Sequence, residues 1–120
     1  MKSYTDLEQS KKLAVFLPLE SANMWYWEFP TAPSYNGYGY PMFHKGEGIR
    51  NVPCWSLTAL LGLMPKIGAH EPMLRKLYYT SEPTERYICQ YSLTDMTSEY
   101  DNPIDACYEM VVKLKEQNLI

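Results

Sequence analysis

The clearest alternation of apolar and polar positions lies in the last twenty residues, Asp101 to Ile120. Ile104, Cys107, Met110, Val111 and Leu114 recur at three- and four-residue spacing and form one apolar stripe, which predicts an amphipathic helix. Asp101 or Asn102 supplies its cap, and Pro103 suits the first helical position, where a missing N–H costs nothing. Asp105 in the first turn and Lys113 and Lys115 towards the last complement the helix dipole. Asn118 is placed to end the helix, with Leu119 and Ile120 folding back on it. Such a helix is built to be buried against something, so the chain has a core.

The same reading predicts a first helix from about Asp6 to Leu17. Thr5 and Glu8 stand at capping-box spacing. Leu7, Leu13, Ala14, Phe16 and Leu17 make its apolar side, Gln9, Lys11 and Lys12 face water, and Pro18 ends it. Ser21 to Phe29, rich in aromatic residues, reads as a short strand, with Ser21 alternatively capping a helical turn. From Pro30 to Pro53 prolines and glycines break every regular period, and a loop this long is usually functional or mobile; Asn36-Gly37 at its centre suits a tight hairpin turn. Trp55 to Met64 reads as a short buried helix, weakened by Gly62 and stopped by Pro65.

Met73 to Thr80 and Arg86 to Leu93 are strand candidates around a turn-like Ser81 to Glu85, most simply an antiparallel hairpin. Tyr87, Cys89 and Tyr91 alternate with Ile88, Gln90 and Ser92, the pattern of a half-buried strand, and Thr94 to Tyr100 is a polar connector. The expectation is one domain, residues 1–120, of α+β class: a small antiparallel sheet of two or three strands packed with about three helices.

Composition narrows the partners. The formal net charge is −3 and the pI about 5.3. Lys11–Lys12 and Arg75–Lys76 are too small to neutralise a phosphate backbone, so no nucleic acid is expected. No apolar run approaches the roughly 20 residues that span a bilayer, and the polar start has no secretory pattern. Cys54, Cys89 and Cys107 are odd in number and widely spaced, which argues for reduced thiols rather than a disulfide framework. The expected location is the cytoplasm.

The most unusual local composition runs from Met24 to Phe43. Trp25, Trp27, Tyr35, Tyr38, Tyr40 and Phe43 are the candidate binding residues, because Tyr and Trp bring large contact area at little entropy loss. The competing reading, which weighs more, puts half of the rings in the core and uses the rest to pin an irregular loop. His44 and His70, with Cys54, Cys89, Glu47 or Glu71, lack any close pair at zinc-ligand spacing, so no metal and no cofactor are expected. Cys54 with either histidine is a weak nucleophile candidate: it follows Pro53 at an expected helix start, yet the apolar run behind it points to burial. Ser56 has no nucleophile-elbow context, and glycine-rich phosphate loops are absent from the sequence. Asp95, Glu99, Asp101 and Asp105 do not match a calcium loop and suit a helix start.

Four blocks carry a resemblance. Leu7-Glu-Gln-Ser-Lys-Lys-Leu13, Glu20-Ser-Ala-Asn-Met-Trp25, Pro53-Cys-Trp-Ser-Leu-Thr-Ala-Leu-Leu61 with Met64-Pro65, and Asp101-Asn-Pro-Ile-Asp-Ala-Cys-Tyr-Glu-Met110 resemble small uncharacterised proteins of phages, prophages and related mobile elements of gut Bacteroidales. The resemblance implies a cytoplasmic protein of mobile-element origin and brings no catalytic residues with it. Three functional expectations stand. The first is a non-enzymatic protein that binds an unidentified protein partner. The second is an enzyme of unrecognised type using Cys54 or a histidine. The third is a structural homo-oligomer paired through Leu119, Ile120 or sheet edges.

Overall fold

The computed structural model describes residues 2–27, 40–43, 51–79 and 82–120. Among them are three α-helices and two antiparallel two-stranded sheets, an α+β fold. In chain order the elements are α1 (Leu7–Phe16), a 3₁₀ turn (Leu19–Ser21), β1 (Met24–Tyr26), β2 (Val52–Cys54), α2 (Leu57–Leu63), β3 (Met73–Tyr79), β4 (Glu82–Gln90) and α3 (Pro103–Glu116). Their contacts gather into two compact units, one of Tyr4–Ala59 and one of Met1–Ser3 with Leu60–Ile120; the boundary falls within α2.

In the first unit, α1 begins one residue later than Thr5 and Glu8 suggest. Asp6 is the cap: its carboxylate accepts from the Gln9 backbone N–H at 2.8 Å, and the Gln9 side chain accepts from the Asp6 N–H at 3.1 Å. Thr5 is instead fully buried and serves the sheet. Leu13 and Leu17 turn inward, and Val15 points to solvent.

β1 pairs with β2 in the register Met24–Cys54, Trp25–Pro53 and Tyr26–Val52. The breaker-rich reading of Pro53 is thereby corrected: it lies inside a strand. The Trp25 N–H and carbonyl are both spent on Met42, on the far side of β1. Trp25 and Pro53 therefore form a pair that exchanges no ladder bonds, and the missing proline N–H costs nothing at that register. Ser56, not Trp55, precedes α2, and its hydroxyl caps the Ala59 N–H at 3.2 Å. Met24, Tyr26 and Cys54 form a core cluster with Tyr4, Leu7 and Val52 packed against it.

The second unit is built on β3 and β4. Their register runs from Met73–Gln90 to Leu77–Arg86, then shifts so that Tyr79 pairs with Glu82. The expected turn over Ser81 to Glu85 is too long, since the strand already starts at Glu82; β4 ends at Gln90, short of the expected Leu93. The half-buried alternation also fails: every residue from Tyr87 to Tyr91 is buried. The reason is the segment Thr94 to Tyr100, which is no free connector. It returns along β4, bridging Gln90 with Met96 and Tyr87 with Tyr100, and α3 packs against β4 as well. Glu109 and Lys113 of α3 hold that segment, accepting from the Ser98 N–H at 2.8 Å and donating to the Met96 carbonyl at 2.9 Å.

α3 follows its pattern closely. Asn102 is the cap, Pro103 opens the helix, and the five stripe residues are at most 3 % exposed. Its end is a Schellman motif: Asn118 adopts φ 57°, with Asn118 N–H to Lys115 carbonyl and Leu119 N–H to Leu114 carbonyl bonds of 3.0 and 2.8 Å. The Asn36-Gly37 turn lies outside the described residues.

Candidate functional site

β1 sorts its aromatic run by strand alternation. Met24 and Tyr26 enter the core, and Tyr26 sets its ring edge against Tyr4 at 6.4 Å. Trp25 and Trp27 fall on the other face and are half-buried. Beside Trp25 lies the segment 40–43. Met42 is bonded to it through both backbone groups, the Trp25 N–H donating to the Met42 carbonyl at 2.6 Å and the Met42 N–H donating back at 2.7 Å.

That pinned segment presents Tyr40 at 77 %, Met42 at 40 % and Phe43 at 75 % exposure. Of the six expected binding residues, then, Trp25, Trp27, Tyr40 and Phe43 sit on or beside one sheet edge, while Tyr35 and Tyr38 lie outside the described residues. Met42 joins the site unforeseen. A count of aromatic rings passes over it, although its soft, flexible side chain suits a contact surface.

Behind the edge lies a buried polar cluster. The Thr5 carbonyl accepts from Tyr26 Oη at 2.8 Å, Cys54 Sγ at 3.4 Å and Ser10 Oγ at 3.4 Å. Thr5 Oγ1 accepts from the Trp55 N–H at 3.1 Å and shares a 2.7 Å bond with Ser10 Oγ. Burial pushes the Tyr26 phenol well above its ordinary range, and it pushes the Cys54 thiol up against the opposing hydrogen bonds from Thr5, Ser10 and Tyr26. Cys54 is fully buried in β2 rather than poised at a helix start, so its thiol keeps its proton at neutral pH.

The remaining candidates do not converge. His70 is exposed on a tight turn with Ile67, in which Gly68 takes φ 60°. Cys89 belongs to the second unit, and His44 and Glu47 lie outside the described residues. Among the described residues, no three histidine, cysteine or acidic side chains gather as a metal site, and no helix is long and apolar enough to cross a membrane. The chain matches no protein-family model, no curated protein and no solved structure.

Proposed function

We propose that this chain is a small non-enzymatic protein of the phage and mobile-element kind, which acts in the cytoplasm by binding another protein through the edge formed by Tyr40, Met42 and Phe43. The observation that carries this reading is the exposure of Tyr40, Met42 and Phe43 around a Met42 backbone that is bonded to Trp25 of β1 through both its N–H and its carbonyl. Large apolar groups held on a rigid element are the usual anchors of a protein interface, because little ordering entropy remains to be lost on binding. Trp25, in β1, is the residue to which Met42 is bonded. The four-block resemblance supports the mobile-element origin, and the aromatic loop and the acidic balance support a host or phage protein as partner. The buried, protonated Cys54 offers no comparable support for a thiol enzyme.

The test is capture from host lysate with a photo-cross-linking aromatic residue in place of Phe43. A specific protein is expected to cross-link, and Tyr40→Ala and Phe43→Ala are each expected to weaken its binding by about 2 kcal/mol or more, the hot-spot range. A folded Tyr40→Ala/Phe43→Ala variant with an unchanged set of captured proteins would sink the reading.

A further inference from the structure

Strand β3 is held on one side. Its partner β4 spends the backbone of Tyr87 on Tyr100, through bonds of 2.7 and 2.9 Å. It spends the backbone of Cys89 on Thr97: the Cys89 N–H donates to Thr97 Oγ1 at 3.0 Å, and its carbonyl accepts from the Thr97 N–H at 2.9 Å. Tyr87 and Cys89 thus turn their N–H and carbonyl groups away from β3. Their partners across the ladder are Lys76 and Leu74. Bonded and non-bonded positions alternate in an antiparallel pair, so the backbones of Leu74 and Lys76 point to the opposite side of β3. No strand pairs with that side among the described residues. An open edge of this kind is a template for one further extended chain.

The side chains along the edge select that chain. Met73 is 53 % and Tyr78 74 % exposed, and they flank Arg75 and Lys76, which are exposed as well. Both charges on β3 are positive, in a chain whose net charge is −3. Lys76 holds its one carboxylate partner, Glu85, on the β4 side at 2.7 Å. Arg75 spends one N–H on Gln90 Oε1 at 3.4 Å, out of the five a guanidinium carries. A second copy of β3 fits poorly: the two-fold register of fullest overlap sets Lys76 against Lys76, and like charges directly opposite are destabilising. The chain also contains no two consecutive acidic residues that could meet Arg75 and Lys76 together. We propose that the β3 edge binds an extended acidic segment of another protein as an added antiparallel strand, with two consecutive carboxylates set between apolar residues. The carboxylates meet Lys76 and Arg75, one on each face of the sheet, and the apolar residues meet Leu74, Leu77 and Tyr78. This edge belongs to the second unit, so it stands or falls apart from the one at Tyr40, Met42 and Phe43.

The test is a titration of the full chain with the peptide acetyl-Ile-Val-Glu-Glu-Val-Ile-amide, read by amide hydrogen exchange. The Leu74 and Lys76 amides should exchange freely in the lone chain and slow about tenfold once roughly nine-tenths of it is bound, whereas the Arg75 amide, turned to β4, stays protected throughout. N-methylation of one alternate set of peptide residues should abolish binding, and N-methylation of the other set should not. Replacing both glutamates by lysine should weaken binding about tenfold. Arg75→Glu/Lys76→Glu should reverse that preference, and binding of the lysine peptide then reports that the variant is folded. No binding of the acidic peptide, equal binding of the lysine peptide, tolerance of both N-methylated sets, or slowed exchange at sites other than Leu74 and Lys76 would each overturn the proposal. Protection of Leu74 and Lys76 that rises with chain concentration in the absence of peptide would assign the edge to a second copy and overturn it too.

Discussion

One polar side chain at a helix start in each unit makes a contrast in reach. In the second unit the start of α3 is sealed locally: the Asn102 side chain accepts from the Asp105 N–H, three residues on, at 2.9 Å. In the first unit the Thr5 hydroxyl, beside the Asp6 cap, bonds Ser10 of α1 and also reaches fifty residues along the chain to the Trp55 N–H. Nearby, Asn23 and Ser56 exchange two bonds of 2.7 and 3.0 Å across thirty-three residues. The Asn102 cap, although it too is buried, joins residues of one turn, and such a cap is worth about 1 kcal/mol. The Thr5 bond joins distant segments, and its loss strands a buried donor in the core. The first unit should therefore be more sensitive to the loss of Thr5 than the second is to the loss of Asn102.

The largest effect expected from this contrast is that of Thr5→Val. Valine keeps the shape and removes the hydroxyl, leaving the buried Trp55 N–H without its acceptor. The expected loss is about 1–3 kcal/mol of unfolding free energy, the desolvation penalty of one orphaned group. Asn102→Ala should cost about 1 kcal/mol, the ordinary value of a helix cap. Denaturant titration of both variants decides the matter. Equal losses would mean that the polar cluster is no more critical than a cap.

Legibility in the sequence divides along the same line. Every signal that shaped α3 lies within a turn or two of where it acts: the Asn102 cap, the Pro103 start, the stripe from Ile104 to Leu114 and the Asn118 stop. At α1 two overlapping patterns compete, Thr5 with Glu8 and Asp6 with Gln9, and local spacing cannot choose between them. The choice is made by Trp55, whose N–H claims Thr5. Pro53 shows the same limit. As a breaker it reads as loop, and its place in β2 depends on a register that Met42 reveals by occupying Trp25 from the other side. Burial of Tyr87 to Tyr91 on both faces was hidden likewise, because Thr94 to Tyr100 looks polar yet returns along that stretch. At the candidate site, Tyr40 and Phe43 were legible as aromatic residues in a loop. That Met42 pins them to β1 was not, because a backbone bridge leaves no trace in composition.

The comparison sharpens with pH. Tyr26 donates from the first unit's cluster to the Thr5 carbonyl, and Tyr91 donates from the second unit to the Pro65 carbonyl at 2.7 Å. Burial raises both phenols, Tyr91 to about 12 and Tyr26 further above its ordinary value. Both are neutral acids favoured in the folded state, so their stabilising contribution is complete below the unfolded value of about 10 and declines as pH rises through it. For Tyr91 the decline levels off once pH passes about 12. Alkaline unfolding should therefore begin above about pH 10, and Tyr26→Phe and Tyr91→Phe should each flatten the loss to a similar extent up to about pH 11, because both folded phenols keep their protons there. A loss between pH 9 and pH 11, measured by denaturant titration, that Tyr91→Phe flattens and Tyr26→Phe does not would mean that the first unit's cluster opens to water before its phenol ionises.

The smallest expected effect separates backbone entropy from packing. Gly62 lies exposed within α2, with open space where a β-carbon would go. Its backbone is helical, so alanine fits without strain and reduces the freedom of the unfolded chain; Gly62→Ala should raise stability by about 0.4–1 kcal/mol. Gly68 has the same open space but φ 60° in the turn between Ile67 and His70, a conformation that disfavours a side chain. Gly68→Ala should therefore lower stability by about 1 kcal/mol, the rough cost of a left-handed non-glycine residue. With no steric contact at either position, the sign of the change rests on the backbone alone. Thermal melts of the two variants should move in opposite directions, and a shared direction would mean that the loop around Gly68 relaxes to another conformation when the side chain is added.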